Sequence, residues 1–215
     1  MIEYNGYKIG VIPIDMSEFR GKVIDDFIIN DSLDVWGFDK DIKATNPQKK
    51  ILKKAYFMEQ IHSNIVHTAK TNEIYNPKCD ALVSDESDVA LMCLGADCFS
   101  VVFVGDKRFG IAHSGRAGVL SGVIENTIKA MNDTNIKAFI SVGICKKCYD
   151  LEYFDDERYQ SFYQNGCLNL GGIIKSKLKE YKIEFFKSNL CTNCDGFFSY
   201  HHSKTHKRFA TYVYK

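Results

Sequence analysis

The sequence predicts an α/β (α+β) fold in which helices pack on the faces of a mixed β-sheet. Short apolar runs separated by polar turns fill residues 55–112, which is the pattern of strands. A helical pattern follows them, and helices and strands are then interspersed as far as the C-terminus. Neither strict alternation of strand and helix nor an all-β pattern accounts for this order. We therefore expect strands of both directions in the sheet.

The first 55 residues are the most weakly patterned part of the chain. A strand is expected near Tyr7–Ile14 and a helix near Ser17–Phe27. The polar, lysine-rich stretch Asp39–Lys54 is expected to lie at the solvated surface. We expect this segment to belong to the same domain as the rest of the chain, which gives one domain over residues 1–215.

Six apolar runs in the next part of the chain have the length and hairpin-like spacing of strands. They are Ala55–Met58, Asn64–Thr68, Ala81–Val83, Val89–Cys93, Ser100–Val104 and Arg108–Ala112. The strongest helical pattern comes next, over Gly118–Met131, where apolar residues recur at helical spacing and Asn132 and Asp133 end the pattern. The remaining predicted elements are a strand, two helices and two closing strands. They are Ala138–Ile144, Asp155–Gln164, Gly171–Tyr181, Ile183–Lys187 and Arg208–Tyr214.

Composition limits the classes of partner. The chain has 215 residues and a formal charge of +1, with 28 basic and 27 acidic side chains. No broad electric field would attract nucleic acid or an anionic membrane, so neither partner is expected. No run approaches the roughly 20 apolar residues of a membrane span, and we expect a cytoplasmic protein. Its eight cysteines would then stay reduced, which favours metal binding, catalysis or burial over disulfides.

Three side chains suited to metal binding stand at the ends of predicted elements. His113 ends a strand-like run and precedes the glycine-rich turn Ser114–Gly118. Cys98 ends the segment Ala96-Asp97-Cys98, and His62 lies further upstream. Two imidazoles and one thiolate form a three-ligand set that suits zinc with a fourth position open.

Seven short segments match, in the same order, the motifs of a known family. They are Gln60–His62, Cys79–Val83, Ala96–Cys98, Ala112–Gly115, Cys148–Asp150, Leu190–Thr192 and Phe197–Tyr200. On these motifs the chain resembles the polyphenol-oxidase-type laccase family, also called the peptidoglycan-editing-factor or multifunctional purine nucleoside phosphorylase family. The resemblance covers about residues 57–212.

The resemblance implies a single-domain sandwich and a zinc ion bound by His62, Cys98 and His113, which would also be the catalytic centre. It further implies phosphorolysis of adenosine, inosine, guanosine and methylthioadenosine, with adenosine deamination as a second activity. Relatives have also been described as copper-dependent phenol oxidases and as proofreaders of cell-wall precursors. Family membership does not choose among these activities.

The chemistry of the residues supports the first two activities. Zinc with three protein ligands can lower the pKa of its bound water to about 7, which provides hydroxide for attack on an amino-bearing purine carbon. Asp97 is a candidate acid or base. The alternative, which we favour, is that Asp97 orients His62 or His113 through a ring N–H.

The chain departs from the family pattern beside the predicted site. The family usually has Trp-Arg where this chain has Arg116-Ala117, and Arg116 is expected to supply the displaced charge. Two arginines usually follow the motif that ends here at Tyr200, whereas this chain continues with His201 and His202. The candidate substrate-binding residues are therefore Arg116, Ser199, Tyr200 and His201. The N-terminal arginine of the family is not recognisable, and Arg20 is not expected to replace it.

Two Cys-x-x-Cys pairs allow a second metal site. The first pair is Cys145 and Cys148, and the second is Cys191 and Cys194. Four thiolates in such pairs are typical of structural zinc, although the pairs are further apart in the chain than those of a zinc ribbon. The alternative is that they are reduced thiols in a partly buried corner.

Three classes of function stay open from the sequence. The first is a zinc-dependent enzyme acting on purine nucleosides and phosphate, as a monomer or weak dimer, with copper as the alternative metal. The second is a metal-free hydrolase that uses Cys98 as nucleophile and His113 as base on amide bonds in cell-wall precursors. The third is a zinc-stabilised module without catalysis.

Overall fold

The computed structural model describes residues 1–29, 50–72 and 78–215. Within these ranges the chain forms strands and helices whose bounds are as follows. The strands are β1 (Ile2–Tyr4), β2 (Tyr7–Ile12), β3 (Val23–Ile29), β4 (Lys50–Phe57), β5 (Val66–Thr68), β6 (Ala81–Ser84), β7 (Val89–Gly95), β8 (Phe99–Val104), β9 (Phe109–Ser114), β10 (Lys137–Ile140), β11 (Tyr163–Gln164), β12 (Cys167–Leu168), β13 (Glu184–Lys187) and β14 (Phe209–Tyr214). The α-helices are α1 (Arg116–Ser121), α2 (Val123–Met131), α3 (Leu170–Glu180) and α4 (Tyr200–Ser203).

Two mixed sheets of six strands each form the framework. The first has the order β1-β2-β14-β7-β4-β3, and the second has the order β13-β10-β8-β9-β6-β5. The pairs β4–β7, β5–β6 and β10–β13 are parallel, and the other neighbours are antiparallel. The expected mixture of strand directions is confirmed, but the strands are divided between two sheets.

The apolar core lies in layers on the faces of these sheets. Between the sheets, Val11 and Leu91 of the first sheet belong to one buried cluster with Val102 and Ile111 of the second. A second cluster joins the outer face of the second sheet to the apolar sides of α1, α2 and α3. The alternation along β14 shows the two-sided burial, because Phe209 and Val213 face the other sheet while Tyr212 belongs to the opposite face. This arrangement confirms an α+β sandwich.

The predicted helix over Ser17–Phe27 is wrong. A single 3₁₀ turn, Ser17–Phe19, is followed by Gly21 in the left-handed region (φ 69°) and then by strand β3. The apolar residues of this segment suit a helical spacing, but they also include Phe27 and Ile29, which alternate as buried positions on a strand. Pairing with β4 decides the outcome.

Two other predicted helices differ in detail. Gly122 (φ 101°) divides the predicted helix Gly118–Met131 into α1 and α2. The predicted helix Asp155–Gln164 is a 3₁₀ segment, Glu157–Phe162, that leads into the hairpin of β11 and β12. The helix predicted over Gly171–Tyr181 corresponds to α3, with its bounds shifted by one residue.

The predicted solvated stretch Asp39–Lys54 lies partly outside the described residues. Its described end, Lys50–Lys54, belongs to β4. The expectation of a solvated surface is confirmed for Lys53, whose side chain is 72% exposed, and is wrong for Leu52, which is fully buried. The strands predicted at Asn64–Thr68 and Ala138–Ile144 are shorter, as β5 and β10. None of the helices in the described ranges combines the length and the hydropathy that a membrane-spanning helix needs.

Candidate metal centre

The three predicted metal ligands meet at one end of the second sheet. Cys98 directly precedes β8, and His113 lies near the end of β9, whose antiparallel register places it opposite Ser100. His62 comes from the loop that follows β4. One ligand atom from each of the three lies within 4.8 Å of the other two, and the imidazole rings are 4.9 Å apart at an angle of 76°. Strand pairing therefore brings together residues that are far apart in the sequence.

Asp80, a fully buried carboxylate, connects two of these ligands. The Nδ1 of His113 donates to Asp80 Oδ1 over 2.8 Å, which leaves Nε2 as the ring nitrogen available to a metal. The backbone N–H of His62 donates to the same oxygen, and that of Ser63 donates to Oδ2. The carboxylate thus fixes both the tautomer of one imidazole and the loop that carries the other.

The backbone around the ligands has little spare room. His62 itself is in the left-handed region (φ 61°), a conformation held by the hydrogen bonds to Asp80. A Cβ atom added to Gly115 would lie 2.8 Å from Cys98 Sγ and 3.2 Å from His62 Cδ2. Glycine at position 115 therefore leaves room for the sulfur and imidazole donors to lie close together. Such a donor set fits a zinc ion.

Cys98 and His113 each shift the pKa of the other. Burial alone would raise the pKa of the Cys98 thiol, but the positive charge of His113 and hydrogen bonds from His113 and His62 lower it to about 6. Burial would conversely lower the pKa of His113, but Cys98 and Asp80 raise it to about 9. Both shifts favour the thiolate form of Cys98 and the protonated form of His113. The thiolate is the form of cysteine that binds metal.

Asp97 accepts hydrogen bonds from groups other than the ring N–H of His62 or His113, which is against the favoured interpretation that it orients an imidazole. Its role as acid or base stays a prediction. Its Oδ1 accepts a hydrogen bond from Thr192 Oγ1 (2.7 Å), and its Oδ2 accepts one from the backbone N–H of His201 (2.6 Å). The carboxylate that orients His113 is Asp80. Asp97, at φ 100°, instead joins the loop before Cys98 to two segments near the C-terminus.

A cavity of about 570 Å³ opens onto the three ligands. Its wall also contains Arg20, Tyr200, His206 and Arg208. Arg20 is not expected from the sequence to replace the N-terminal arginine of the family, and its position in the cavity wall contradicts that expectation. Burial lowers the pKa of the Arg208 guanidinium, the negative charge of Cys98 opposes this, and the positive charge of Arg20 adds to it. Two guanidinium groups beside the metal ligands make this part of the wall suited to an anion.

The other predicted substrate-binding residues have different positions. The lining residues in the described part of the chain include Tyr200 but not Arg116, Ser199 or His201. Arg116 is exposed at the start of α1. The side chain of Ser199 caps α4 by accepting from the backbone N–H of His202, and His201 Nε2 lies 2.9 Å from an oxygen of Asp150. Substrate contact by these three residues stays a prediction.

The structure also brings the two Cys-x-x-Cys pairs together. The sulfur atoms of Cys145, Cys148, Cys191 and Cys194 all lie within 4.8 Å of one another. This cluster is made by different turns from those that carry His62, Cys98 and His113.

Sequence reasoning did not assign Asp80, Arg20, His206 or Arg208 to the site. A signal for Asp80 exists, because it belongs to the Cys79–Val83 segment that matches a family motif. For Arg20 no local pattern indicates the cavity, because its position depends on how the first sheet packs beside the second. The backbone carbonyl of Gln60 accepts from Arg20 Nη2 over 2.7 Å and holds it there.

Comparison with known proteins gives concordant findings. Residues 42–215 match the model of a family described as multi-copper polyphenol oxidoreductase laccase. A purine nucleoside phosphorylase of Campylobacter jejuni is 32% identical over 179 residues, covering 77% of this chain and 79% of that protein. The purine nucleoside phosphorylase YfiH of Escherichia coli is 27% identical, covering 75% and 74%. A solved structure of a Neisseria meningitidis protein superposes with a TM-score of 0.67 at 25% identity, covering 74% of each chain.

Proposed function

Because this chain belongs to the multi-copper polyphenol oxidoreductase laccase family, we propose that it is a zinc-dependent purine nucleoside phosphorylase with a second, adenosine deaminase activity. The relatives named as purine nucleoside phosphorylases support an enzyme that acts on nucleosides and phosphate. The observation that carries the proposal is the cavity in which His62, Cys98 and His113 face the same space as Arg20 and Arg208. It combines a metal-ligand set with a cationic wall.

The residues of the cavity divide the work of phosphorolysis. Arg20 and Arg208 bind the phosphate and orient it toward the sugar, because guanidinium groups match phosphate oxygens in geometry and charge. Tyr200 offers a ring face to the purine, and His206 offers an imidazole that can protonate the leaving base. Asp80 keeps His113 in one tautomer throughout. A zinc ion bound by His62, Cys98 and His113 would supply Lewis acidity and an ionised water at neutral pH.

Substitution of the ligands tests the metal site and both activities together. Cys98→Ala and His113→Ala are expected to lose the bound zinc and at least 100-fold of the turnover of inosine with phosphate and of adenosine to inosine. Cys167→Ser, which changes a cysteine outside the cluster, is the matched control and should keep zinc and turnover. Full turnover in either ligand variant would overturn the site assignment.

The two arginines allow the activities to be separated. Arg20→Gln and Arg208→Gln should keep the zinc content and raise the KM for phosphate, since each removes a guanidinium group from the cavity wall and leaves the three candidate metal ligands in place. Each also removes hydrogen bonds to backbone carbonyls, to Gln60 from Arg20 and to Thr205 and Lys207 from Arg208. Deamination of adenosine needs no phosphate, so ammonia release in phosphate-free buffer should change little. Equal losses of both activities would show that the arginines act on something other than phosphate.

A metal-free nucleophilic hydrolase is the second candidate, and the thiolate–imidazolium pair of Cys98 and His113 favours it. In chelator-treated protein at pH 7, Cys98 should react with iodoacetamide much faster than buried Cys79, whose pKa is raised to about 12 by burial and by Asp80. Amide hydrolysis by chelated protein that is abolished by this alkylation would favour the hydrolase. Protection of Cys98 by zinc, with activity only in the zinc form, would favour the phosphorylase.

A further inference from the structure

The four cysteines of the two Cys-x-x-Cys pairs have the arrangement of a metal site. We refer to Cys145, Cys148, Cys191 and Cys194 as the thiol cluster. Their sulfur atoms lie within 4.8 Å of one another, and those of Cys148 and Cys194 are 3.4 Å apart. A tetrahedral zinc ion with bonds of 2.3 Å would place its sulfur ligands about 3.8 Å apart. The cluster therefore matches the size of one zinc-tetrathiolate centre.

The fold builds the cluster from two tight turns held side by side. The backbone N–H of Cys148 donates to the carbonyl of Cys145 over 3.1 Å, and that of Asp195 donates to the carbonyl of Cys191 over 3.0 Å. A bridge between Gly143 and Cys191 aligns the two turns in parallel, next to the parallel strands β10 and β13. Pairs of turns in this arrangement are the usual framework of a structural zinc site.

Two hydrogen-bond donors are directed at sulfur atoms of the thiol cluster. The backbone N–H of Cys145 lies 3.3 Å from Cys191 Sγ, and Asn193 Nδ2 lies 3.5 Å from Cys148 Sγ, so both donate toward sulfur. Four thiolates and one zinc ion carry a net charge of −2. Lys146 and Lys147 lie within the first turn, and Lys187 is close enough for the charges of Cys145 and Cys191 to act on its ammonium group. Positive charge nearby would offset the charge of the centre.

We propose that Cys145, Cys148, Cys191 and Cys194 bind one zinc ion as a structural site, separate from the site formed by His62, Cys98 and His113. All four positions are occupied by protein sulfur, so this second site has no open position for a substrate. It would act by fixing the two turns relative to each other.

The thiol cluster is connected to the proposed catalytic cavity through hydrogen bonds. The carbonyl of Cys148 accepts from His202 Nε2 over 2.8 Å, which ties the first turn to helix α4 and hence to Tyr200. In the second turn, Thr192 donates to Asp97, the residue directly before Cys98. Zinc at the thiol cluster would therefore brace two parts of the cavity wall.

Elemental analysis of the purified chain gives the first test. Two zinc ions per chain are expected in wild type and in Cys167→Ser. Cys148→Ser combined with Cys194→Ser should lose one equivalent, and His113→Ala should lose the other. One zinc per chain that the cysteine substitutions leave in place, or iron in place of zinc, would overturn the proposal.

A cobalt spectrum keeps the proposal testable if the double variant does not fold. Cobalt(II) replaces zinc, and its absorption depends on how many thiolates bind it. In His113→Ala, where only the thiol cluster would remain, a tetrathiolate spectrum is expected, and Cys194→Ser introduced into this background should weaken it. A disulfide between Cys148 and Cys194 in protein purified with reductant and zinc would contradict the proposal. These measurements need no substrate, so they stand apart from the outcome for the phosphorylase activity.

Discussion

At the scale of single residues, Asp80 and Asp97 show where sequence reasoning stops. Both carboxylates are buried, and both belong to matched motifs. Asp97 is adjacent to a ligand in sequence, which made it the natural partner for an imidazole. Asp80 reaches His113 only because β6 and β9 pair, with Ala81 opposite Ala112. The convergence of the three candidate ligands could be predicted from the motifs, whereas their carboxylate partner depends on strand register.

Asp80→Asn tests whether the Asp80 carboxylate contributes to the affinity for zinc. An amide keeps the shape of the carboxylate but loses the charge and one acceptor oxygen, so His113 and the His62 loop would be held less firmly. We expect zinc affinity to fall by about 10- to 100-fold, measured by competition with a chelator. Asp97→Asn is the matched control, because Asp97 contacts Thr192 and His201 instead of a ligand side chain. Equal affinity in wild type and Asp80→Asn would contradict the role assigned to Asp80.

At the scale of elements, local patterns predict that an element is present better than they predict whether it is a helix or a strand. Strands β6–β9 were expected where they occur, since each is a short buried run between turns. The segment from residue 17 to 29 shows the opposite outcome, because its spacing permitted a helix and pairing with β4 made it a strand. Two Asn-Gly dipeptides, Asn5-Gly6 and Asn165-Gly166, form two-residue hairpin turns with positive φ at both positions. Asn-Gly is a known hairpin signal and indicates both β1 and the β11–β12 hairpin, neither of which is among the elements predicted from the apolar pattern.

Substitutions of Gly122 test whether the junction between α1 and α2 requires a left-handed backbone conformation. Its φ of 101° is costly for any residue with a Cβ, while the nearest atoms to an added Cβ are carboxylate atoms of Glu125 at 3.7 and 3.9 Å. Gly122→Ala should therefore lower the free energy of unfolding by about 1–2 kcal/mol through backbone strain alone. Gly122→Asn should cost less, because asparagine tolerates the left-handed region better. Urea denaturation measures both, and equal stability of all three proteins would exclude strain at this turn.

At the scale of the whole molecule, the packing of two sheets determines what the site contains. The sequence predicts mixed strand directions and helices, and these are confirmed. The division into two sheets is not readable from local patterns, since fully buried strands such as β7, β8 and β9 are apolar on both faces. The same division brings Arg20 and Arg208, from the first sheet's side, to the candidate metal ligands beside the second.

Two fully buried threonines, Thr211 and Thr192, allow the same substitution to be compared with and without a hydrogen bond from the hydroxyl. Thr211 on β14 is fully buried, and its Oγ1 has no hydrogen-bond partner among the described residues. Thr211→Val should raise the free energy of unfolding by about 1 kcal/mol, or about 2–4 °C in Tm. Thr192→Val removes a hydroxyl that donates to Asp97, and it should instead lower stability by about 1–3 kcal/mol. A loss of stability in Thr211→Val would show that its hydroxyl is satisfied.

The left-handed backbone of His62 and Asp97 has a consequence for the protein in a zinc-poor cell. Both conformations are held in place by the folded chain, so the unfolded chain would lack a formed His62–Cys98–His113 site. Metal would then bind almost solely to folded molecules, and each tenfold rise in free zinc above the dissociation constant would add about 1.4 kcal/mol to the free energy of unfolding. For a protein that holds zinc at the proposed site, zinc starvation would therefore reduce its abundance, because proteases remove the unfolded fraction.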